Sequence, residues 1–284
     1  MQTQPHFPRL VLALIAAALP MPAQPVPPPP TAVKPAAQSQ QWPVLPGGKW
    51  RSKDERRPQA RVVTPGATDR EPPSDALVLF DGTGLSQWFE RGKRENDRGK
   101  IYDPPRWIVR DGYLEAAPSE GGDLVTKESF GNVQLHMEWA APAKVDGDGQ
   151  KRGNSGIFFL GQGQYEVQIL DSYNNSTYAD GHAAAIYGQY PPLVNASRRP
   201  GEWQTYDIVF EAPVFEGDRL VKPAHVTVFH NGLLVQLRRP YLGQVRRDGI
   251  TYPPHPVEGP IMLQNHRNPM RFRNIWIRRL EAVE

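Results

Sequence analysis

The sequence contains no cysteine. Disulfides, thiolate metal sites and a cysteine nucleophile are therefore all excluded, as is a lipid anchor on a cysteine behind an export signal. Helical patterning is equally scarce. Away from the amino terminus, no stretch repeats apolar residues at spacings of three and four over several turns. Charge of one sign is lacking too, with 33 basic against 30 acidic residues and a net charge of +3. The arginine pairs at 198–199, 238–239, 246–247 and 278–279 are scattered, which reads as solvated faces and not as a nucleic-acid track. No phosphate-cradling glycine loop, dinucleotide fingerprint or nucleophile elbow is present. Asp146-Gly147-Asp148-Gly149 lacks the later Glu and the length of a calcium loop and reads as a turn.

What is present in quantity is proline (31) and glycine (25), which suits short strands and many turns. His6 and Arg9 precede the apolar run Leu10 to Leu19, and Met21-Pro22-Ala23 supplies a small-residue cleavage site. Residues 1–23 are thus expected to be a signal peptide, too short in its apolar part to span a bilayer, and the protein is expected to be exported to the periplasm or beyond, without stable membrane insertion after cleavage. Residues 24–75 open on the proline run Pro27–Pro30 and carry a basic patch around Arg51 to Arg61, the composition of an extended, disordered linker. From Ala76 to the end, short alternating segments recur. They include Leu77–Phe80, Ile108–Leu114 around an Asp-Gly turn, Asn132–Trp139, Asn154–Leu160, Trp203–Glu211, Ala224–His230, Leu233–Leu237 and Arg271–Leu280. Asn231-Gly232 between two of them is a hairpin signal. The expected fold is all-β, an antiparallel sandwich or barrel over 76–284.

The chemistry concentrates in Tyr165 to Gln189. Tyr165, Val167 and Ile169 alternate with Glu166, Gln168 and Leu170, and the strand then breaks into a loop carrying Asp171, Tyr173, Tyr178, Asp180 and His182. Polar residues that alternate on a sheet face ordinarily meet water. Here several strands carry Glu, Gln and His, which points to a shared concave surface. Glu138 and Glu166, of like parity, could flank a glycosidic bond as a carboxylate pair. Asp171, Asp180 and His182 could bind a divalent cation, or cap turn amides. His266, after Gln264 on the penultimate strand, is a further candidate, whereas His136 and His230 read as structural.

In order along the chain come Leu79-Phe80-Asp81-Gly82, Gly122-Asp123-Leu124-Val125-Thr126-Lys127, Leu135-His136-Met137-Glu138-Trp139, Asn154-Ser155-Gly156-Ile157-Phe158, Tyr165 to Asp171, Ala185-Ile186-Tyr187-Gly188, Trp203 to Asp207, Val226 to Gly232 and Arg271 to Trp276. Together they resemble the 3-keto-disaccharide hydrolase domain of exported bacterial proteins, over about residues 77 to 281. The resemblance implies a concanavalin A-like lectin/glucanase jelly roll and a 3-keto-glycoside or 3-keto-disaccharide substrate. Two departures stand out. Met262 takes the place of an Arg, and Asn265 and Arg267 stand where Asp and Gly usually sit. A ketone at ring carbon 3 acidifies the proton on carbon 2, so a base, a positive group over the enolate and an acid for the leaving oxygen are needed. Glu166 or Asp171 is expected as base or metal ligand, His182 or His266 as acid or ligand, and Glu138 as a further catalytic carboxylate. Gln168, Tyr173, Tyr178, Tyr187, Gln189 and Gln264 are expected to hold the sugar. A divalent cation on Glu166, Asp171 and His182 would serve as the positive group, and no organic cofactor is expected. The rival readings are a non-catalytic carbohydrate-binding module, since fold does not fix function, and a conventional two-carboxylate glucanase. A small carbohydrate, and no nucleic acid, is the expected partner.

Overall fold

The computed structural model describes residues 42–93, 95–117 and 121–281. The expected signal peptide and the start of the expected linker lie outside them. The chain divides into two compact units, Met1–Arg61 and Val62–Glu284. In the described part of the first, Val44 and Arg51 form an isolated β-bridge. The Lys53 ammonium lies 3.8 Å from the centroid of the Trp42 ring, and Arg56 holds the Asp54 carboxylate at 2.7 Å.

The described residues of the second unit form eighteen strands. They are β1 (Leu77–Phe80), β2 (Trp88–Arg91), β3 (Ile101–Tyr102), β4 (Ile108–Arg110), β5 (Tyr113–Glu115), β6 (Asp123–Thr126), β7 (Val133–Ala140), β8 (Asn154–Phe158) and β9 (Glu166–Leu170). There follow β10 (Gln204–Glu211), β11 (Val214–Glu216), β12 (Arg219–Lys222), β13 (His225–His230), β14 (Leu233–Pro240), β15 (Gln244–Arg246), β16 (Gly249–Thr251), β17 (Met262–Leu263) and β18 (Arg271–Arg279). No α-helix occurs among the described residues. The larger sheet has eight strands in the order β14-β13-β10-β7-β18-β5-β4, with β1 also on β18, and the smaller has six in the order β3-β2-β6-β17-β8-β9. The named pairings within both are antiparallel. The hairpin turns fall where the dipeptides place them: Asp111-Gly112 and Asn231-Gly232 both take positive φ at their two central residues, which short side chains and glycine accept.

The two sheets stack as a sandwich, the architecture that the resemblance implies and one of the two that the patterning allows. Period-two alternation sends Val133, Leu135, Met137 and Trp139 of β7 into one core with Tyr206, Ile208 and Phe210 of β10, Val167 and Ile169 of β9 and Ile157 of β8. Phe159, just after β8, stacks on Phe210 across the layers with ring centroids 4.4 Å apart. The Tyr206 hydroxyl crosses the core and donates to the Gln168 carbonyl at 2.8 Å.

The larger unit begins ahead of Ala76, where strand periodicity starts. Asn274 and the Trp276 indole both donate to the Arg70 carbonyl, at 2.8 and 2.9 Å. Arg278 holds Asp75 through two bonds of 2.7 and 2.8 Å. These ties run from the outward side of β18 to a segment with no apolar period of its own.

Candidate active site

β9 leaves a 3-10 turn at Gly163–Tyr165 and presents Glu166 and Gln168 on the outward face of the smaller sheet, since Val167 and Ile169 are taken by the core. On β8, Phe158 stands opposite Glu166, and Gly156 stands opposite Gln168. Gly156 is there because the Glu166 carboxyl lies across it. A Cβ on that residue would sit 2.3 Å from Glu166 Oε1.

Glu166 is only 9% exposed. Among the described residues its carboxyl has no hydrogen-bond or ion-pair partner, which is unusual for a buried acid. Burial pushes it up from the ordinary 4.5 to about 8, Lys93 nearby pulls the other way and Asp123 adds to the rise. Lys93 Nζ lies 2.8 Å from Asp123 Oδ1, and the same oxygen accepts the Asn265 amide at 2.9 Å. His266 joins this group. Partial loss of water around its ring, and then Lys93, hold it below the usual imidazole range, so it is neutral near pH 7.

The loop after β9 returns along it. Gln168 N donates to the Ala185 carbonyl at 3.0 Å, Ala184 N to the Gln168 carbonyl at 2.9 Å and Tyr187 N to the Glu166 carbonyl at 3.3 Å. Tyr187 is thereby set beside Glu166, and its hydroxyl meets that of Tyr178 at 2.5 Å. Burial, Tyr187 and the charges of Asp180 and Glu166 push the Tyr178 phenol upward, so it is a donor at working pH. Gln150 pins the loop. Its Nε2 donates to Thr177 Oγ1 and the Gly181 carbonyl, and its Oε1 accepts Gln168 Nε2 at 2.9 Å.

Of the residues singled out from the sequence, Glu166, His266, Tyr178 and Tyr187 therefore share one neighbourhood. Glu138 does not join them. It lies on the outward face of the other sheet, paired with Arg273 at 2.7 Å, so the whole core separates it from Glu166. The like parity of the two glutamates put each on an outward face, but their strands belong to different layers. Asp171, 2% exposed, is held by Arg152 Nε at 2.7 Å and caps the Tyr173 amide. Gln168 is spent on Gln150 and on the Ile169 amide. Gln189 is spent on the Gln164 and Gly243 carbonyls and the Leu242 amide. Tyr173 pairs with Arg199. Gln264 is engaged through its backbone, donating to the Gly156 carbonyl and accepting from the Ser155 hydroxyl. His182 is half-buried with Nδ1 unpartnered. His136 bonds Asp207 and His230 bonds Gln204, as structural histidines do. Glu166, Asp171 and His182 do not gather as a metal would need, and among the described residues no group of three or more His, Asp or Glu does.

Sequence reasoning missed Lys93, Asp123 and Gln150. Only Asp123 left a signal, since it shares the outward parity of Val125 in β6, whereas Lys93 lies in an irregular segment after β2 and Gln150 in a single 3-10 turn, neither with a period.

A model of the 3-keto-alpha-glucoside-1,2-lyase-like domain matches residues 75–278. A 3-keto-disaccharide hydrolase of Bacteroides thetaiotaomicron is 30% identical over 173 residues, covering 50% of this chain and 54% of that protein. The chain thus spans about half the length of this curated relative. A solved structure of a candidate glycosyl hydrolase from Parabacteroides distasonis is 42% identical with a TM-score of 0.69, covering 78% of this chain and 93% of that one. A second candidate glycosyl hydrolase from the same organism, 19% identical with a TM-score of 0.50 over 72% of this chain and 94% of that one, shares the fold.

Proposed function

The chain belongs to the family of 3-keto-alpha-glucoside-1,2-lyase-like domains, and from that premise we propose that it cleaves 3-keto-glycosides, with Glu166 moving the proton. The observation that carries the reading is the Glu166 carboxyl: buried, unpartnered and held at about 8. A carboxylate of that basicity takes a carbon-bound proton far better than an ordinary glutamate, at a pH where a useful fraction is ionised.

In the proposed reaction Glu166 removes the proton on carbon 2 and the electron pair passes to the carbon 3 ketone oxygen as an enolate. The Lys93 ammonium, whose charge acts on Glu166, is a cation that would favour that charge. The enolate then collapses, the carbon 1–oxygen bond breaks and the leaving oxygen takes a proton. Tyr178, with its phenol held protonated, and Glu166, now carrying the proton from carbon 2, are nearby groups able to pass it. Water adding across the new carbon 1–carbon 2 double bond completes a net hydrolysis. Tyr178 and Tyr187 offer ring faces and hydroxyls to the sugar. The 3-keto-disaccharide hydrolase of B. thetaiotaomicron supports this choice of substrate class.

The test is Glu166→Gln assayed on a 3-keto-disaccharide. Turnover is expected to fall about 10²- to 10⁴-fold with the fold intact. A fully active variant would remove Glu166 from the reaction, and a wild-type protein that binds the sugar without cleaving it would leave a carbohydrate-binding module instead.

A further inference from the structure

Lys93 and Asp123 are set against each other by their backbones. The turn after β2 is closed through Gly92, whose N–H donates to the Lys100 carbonyl at 2.8 Å and whose carbonyl accepts from the Gly99 N–H at 2.8 Å. Gly122, the residue before Asp123, lies flat against that turn. A Cβ on it would overlap the Arg91 carbonyl oxygen and sit 2.9 Å from the Gly92 Cα. On the core side, the fully buried Glu90 carboxylate accepts the Gly122 N–H at 2.7 Å and the Arg106 N–H at 2.8 Å. The two side chains therefore rise from one built base. The Lys93 ammonium meets Asp123 Oδ1 at 2.8 Å, its partner among the described residues.

The charges that act on Glu166 are these two. Lys93 favours its ionised form and Asp123 opposes it. Around them, Arg91 stands opposite Asp123 on β2, and His266 after β17 is held neutral near pH 7. On the loop after β9, Asp180 acts on Tyr178, whose hydroxyl bonds that of Tyr187, and Tyr241 approaches from the core side. An ammonium with access to a buried carboxyl would pair with it and return it to ordinary basicity. On Asp123 the ammonium spends one of its three N–H donors, and two are left for another oxygen.

We propose that Asp123 is a positioning residue, which holds the Lys93 ammonium off the Glu166 carboxyl and keeps it available to the oxygen on which the enolate charge collects. The proposal rests on the reading of Glu166 as the proton-transfer group. Asp123 touches no reacting atom and acts through Lys93. The Glu166 carboxyl is left without a cationic partner and so keeps its affinity for the proton. Once that proton has moved, the same ammonium turns its remaining N–H donors to the ketone oxygen. With the Asp123 charge gone, the like charge that opposes ionisation of Glu166 disappears, and the long, flexible lysine side chain is released to pair with it. Both changes weaken the base.

The experiment is a cycle of Asp123→Asn, Lys93→Met and the double variant in the full chain. Each is followed through the pH dependence of kcat/KM on a 3-keto-disaccharide and through the carboxyl carbon resonance of Glu166, assigned with Glu166→Gln. Asparagine keeps an acceptor oxygen for the Asn265 N–H, so the segment that carries His266 is retained. Asp123→Ser, which also keeps an acceptor, takes its place in the cycle if the asparagine variant does not fold. The Glu166 midpoint is expected to fall by about one pH unit in Asp123→Asn and to rise in Lys93→Met. In the double variant it is expected to return above the Asp123→Asn value, since no ammonium remains to pair. The high-pH plateau of kcat is expected to fall roughly three- to tenfold in Asp123→Asn. A midpoint that stays or rises in Asp123→Asn, or that the second substitution does not restore, overturns the proposal. Failure of the Glu166 reading is seen separately, as wild-type protein inactive on the sugar. The carboxyl resonance titrates without turnover, and in that event it alone upholds or ends the placement of Lys93 by Asp123.

Discussion

At the scale of the residue, the role proposed for Glu166 fixes the pH behaviour to expect. Burial pushes its native carboxyl up to about 8 from an ordinary 4.5. With the ionised form as base, kcat/KM is expected to rise with pH through an apparent value near 8, and about one molecule in ten is active at pH 7. A profile flat from pH 6 to 9 would remove Glu166 from the proton transfer. Stability runs in the opposite direction. Between 4.5 and 8 the native carboxyl keeps a proton that the unfolded one has released, so the folded state is favoured at low pH and loses that advantage as pH rises through 8. Glu166→Gln, which stays neutral, is therefore expected to gain on wild type as pH rises, by on the order of 2–4 kcal/mol at pH 9. Thermal unfolding at pH 6 and pH 9 reads the difference. Gly156 is the second residue to probe. Alanine there has unstrained φ, but its Cβ would displace the carboxyl and touch the Phe158 ring at 3.0 Å. Gly156→Ala is expected to keep the fold and lose about 10²-fold in turnover, because small misplacements of a reacting group are expensive.

At the scale of the element, β9 and the loop that doubles back on it act as one part. Arg152 reaches from the turn before β8 to Asp171 at the end of β9, and its guanidinium also donates to the Tyr173 carbonyl at 2.9 Å. Both side chains of the pair are largely buried, so removing one charge strands the other. Arg152→Met is expected to cost about 3 kcal/mol in chemical denaturation, and Arg152→Met with Asp171→Leu to recover much of it. If the single variant is as stable as wild type, the pair is not what holds the loop. This is also why Asp171, so prominent in the sequence, is a structural group and not a proton-transfer candidate. An isolated aspartate after a strand looks the same whether it faces a substrate or an arginine nineteen residues away.

At the scale of the whole molecule, the two sheets are joined through a core of aromatic contacts. The Phe159–Phe210 stack is nearly parallel, at 4° between planes, and links the end of β8 to β10. Phe210→Ala is expected to cost about 3–5 kcal/mol, measured by denaturant unfolding of the full chain, and a loss under 1 kcal/mol would mean that the layers do not depend on this contact. The sandwich also decides which polar rows meet. His136 stacks on Trp276 at 5.2 Å and bonds Asp207, and Glu138 bonds Arg273. That row is consumed in holding β7, β10 and β18 together, while the row on β9 keeps a free carboxyl.

Alternation of apolar side chains along β7, β9 and β10, and the Asp-Gly and Asn-Gly turns between strands, are local properties, so the order of residues was enough to specify an antiparallel all-β chain and the outward-facing parity of Glu138, Glu166 and His136. The chain of motifs from Leu79 to Trp276 was likewise enough to indicate the family. Which outward residues share a surface is not local. It depends on which layer a strand joins, and this set Glu138 on the far side of the core while bringing Lys93, Asp123 and His266 to Glu166 from segments that no periodicity connects. The raised pKa of Glu166 has the same origin, because desolvation is a property of the packed surroundings and not of the residue.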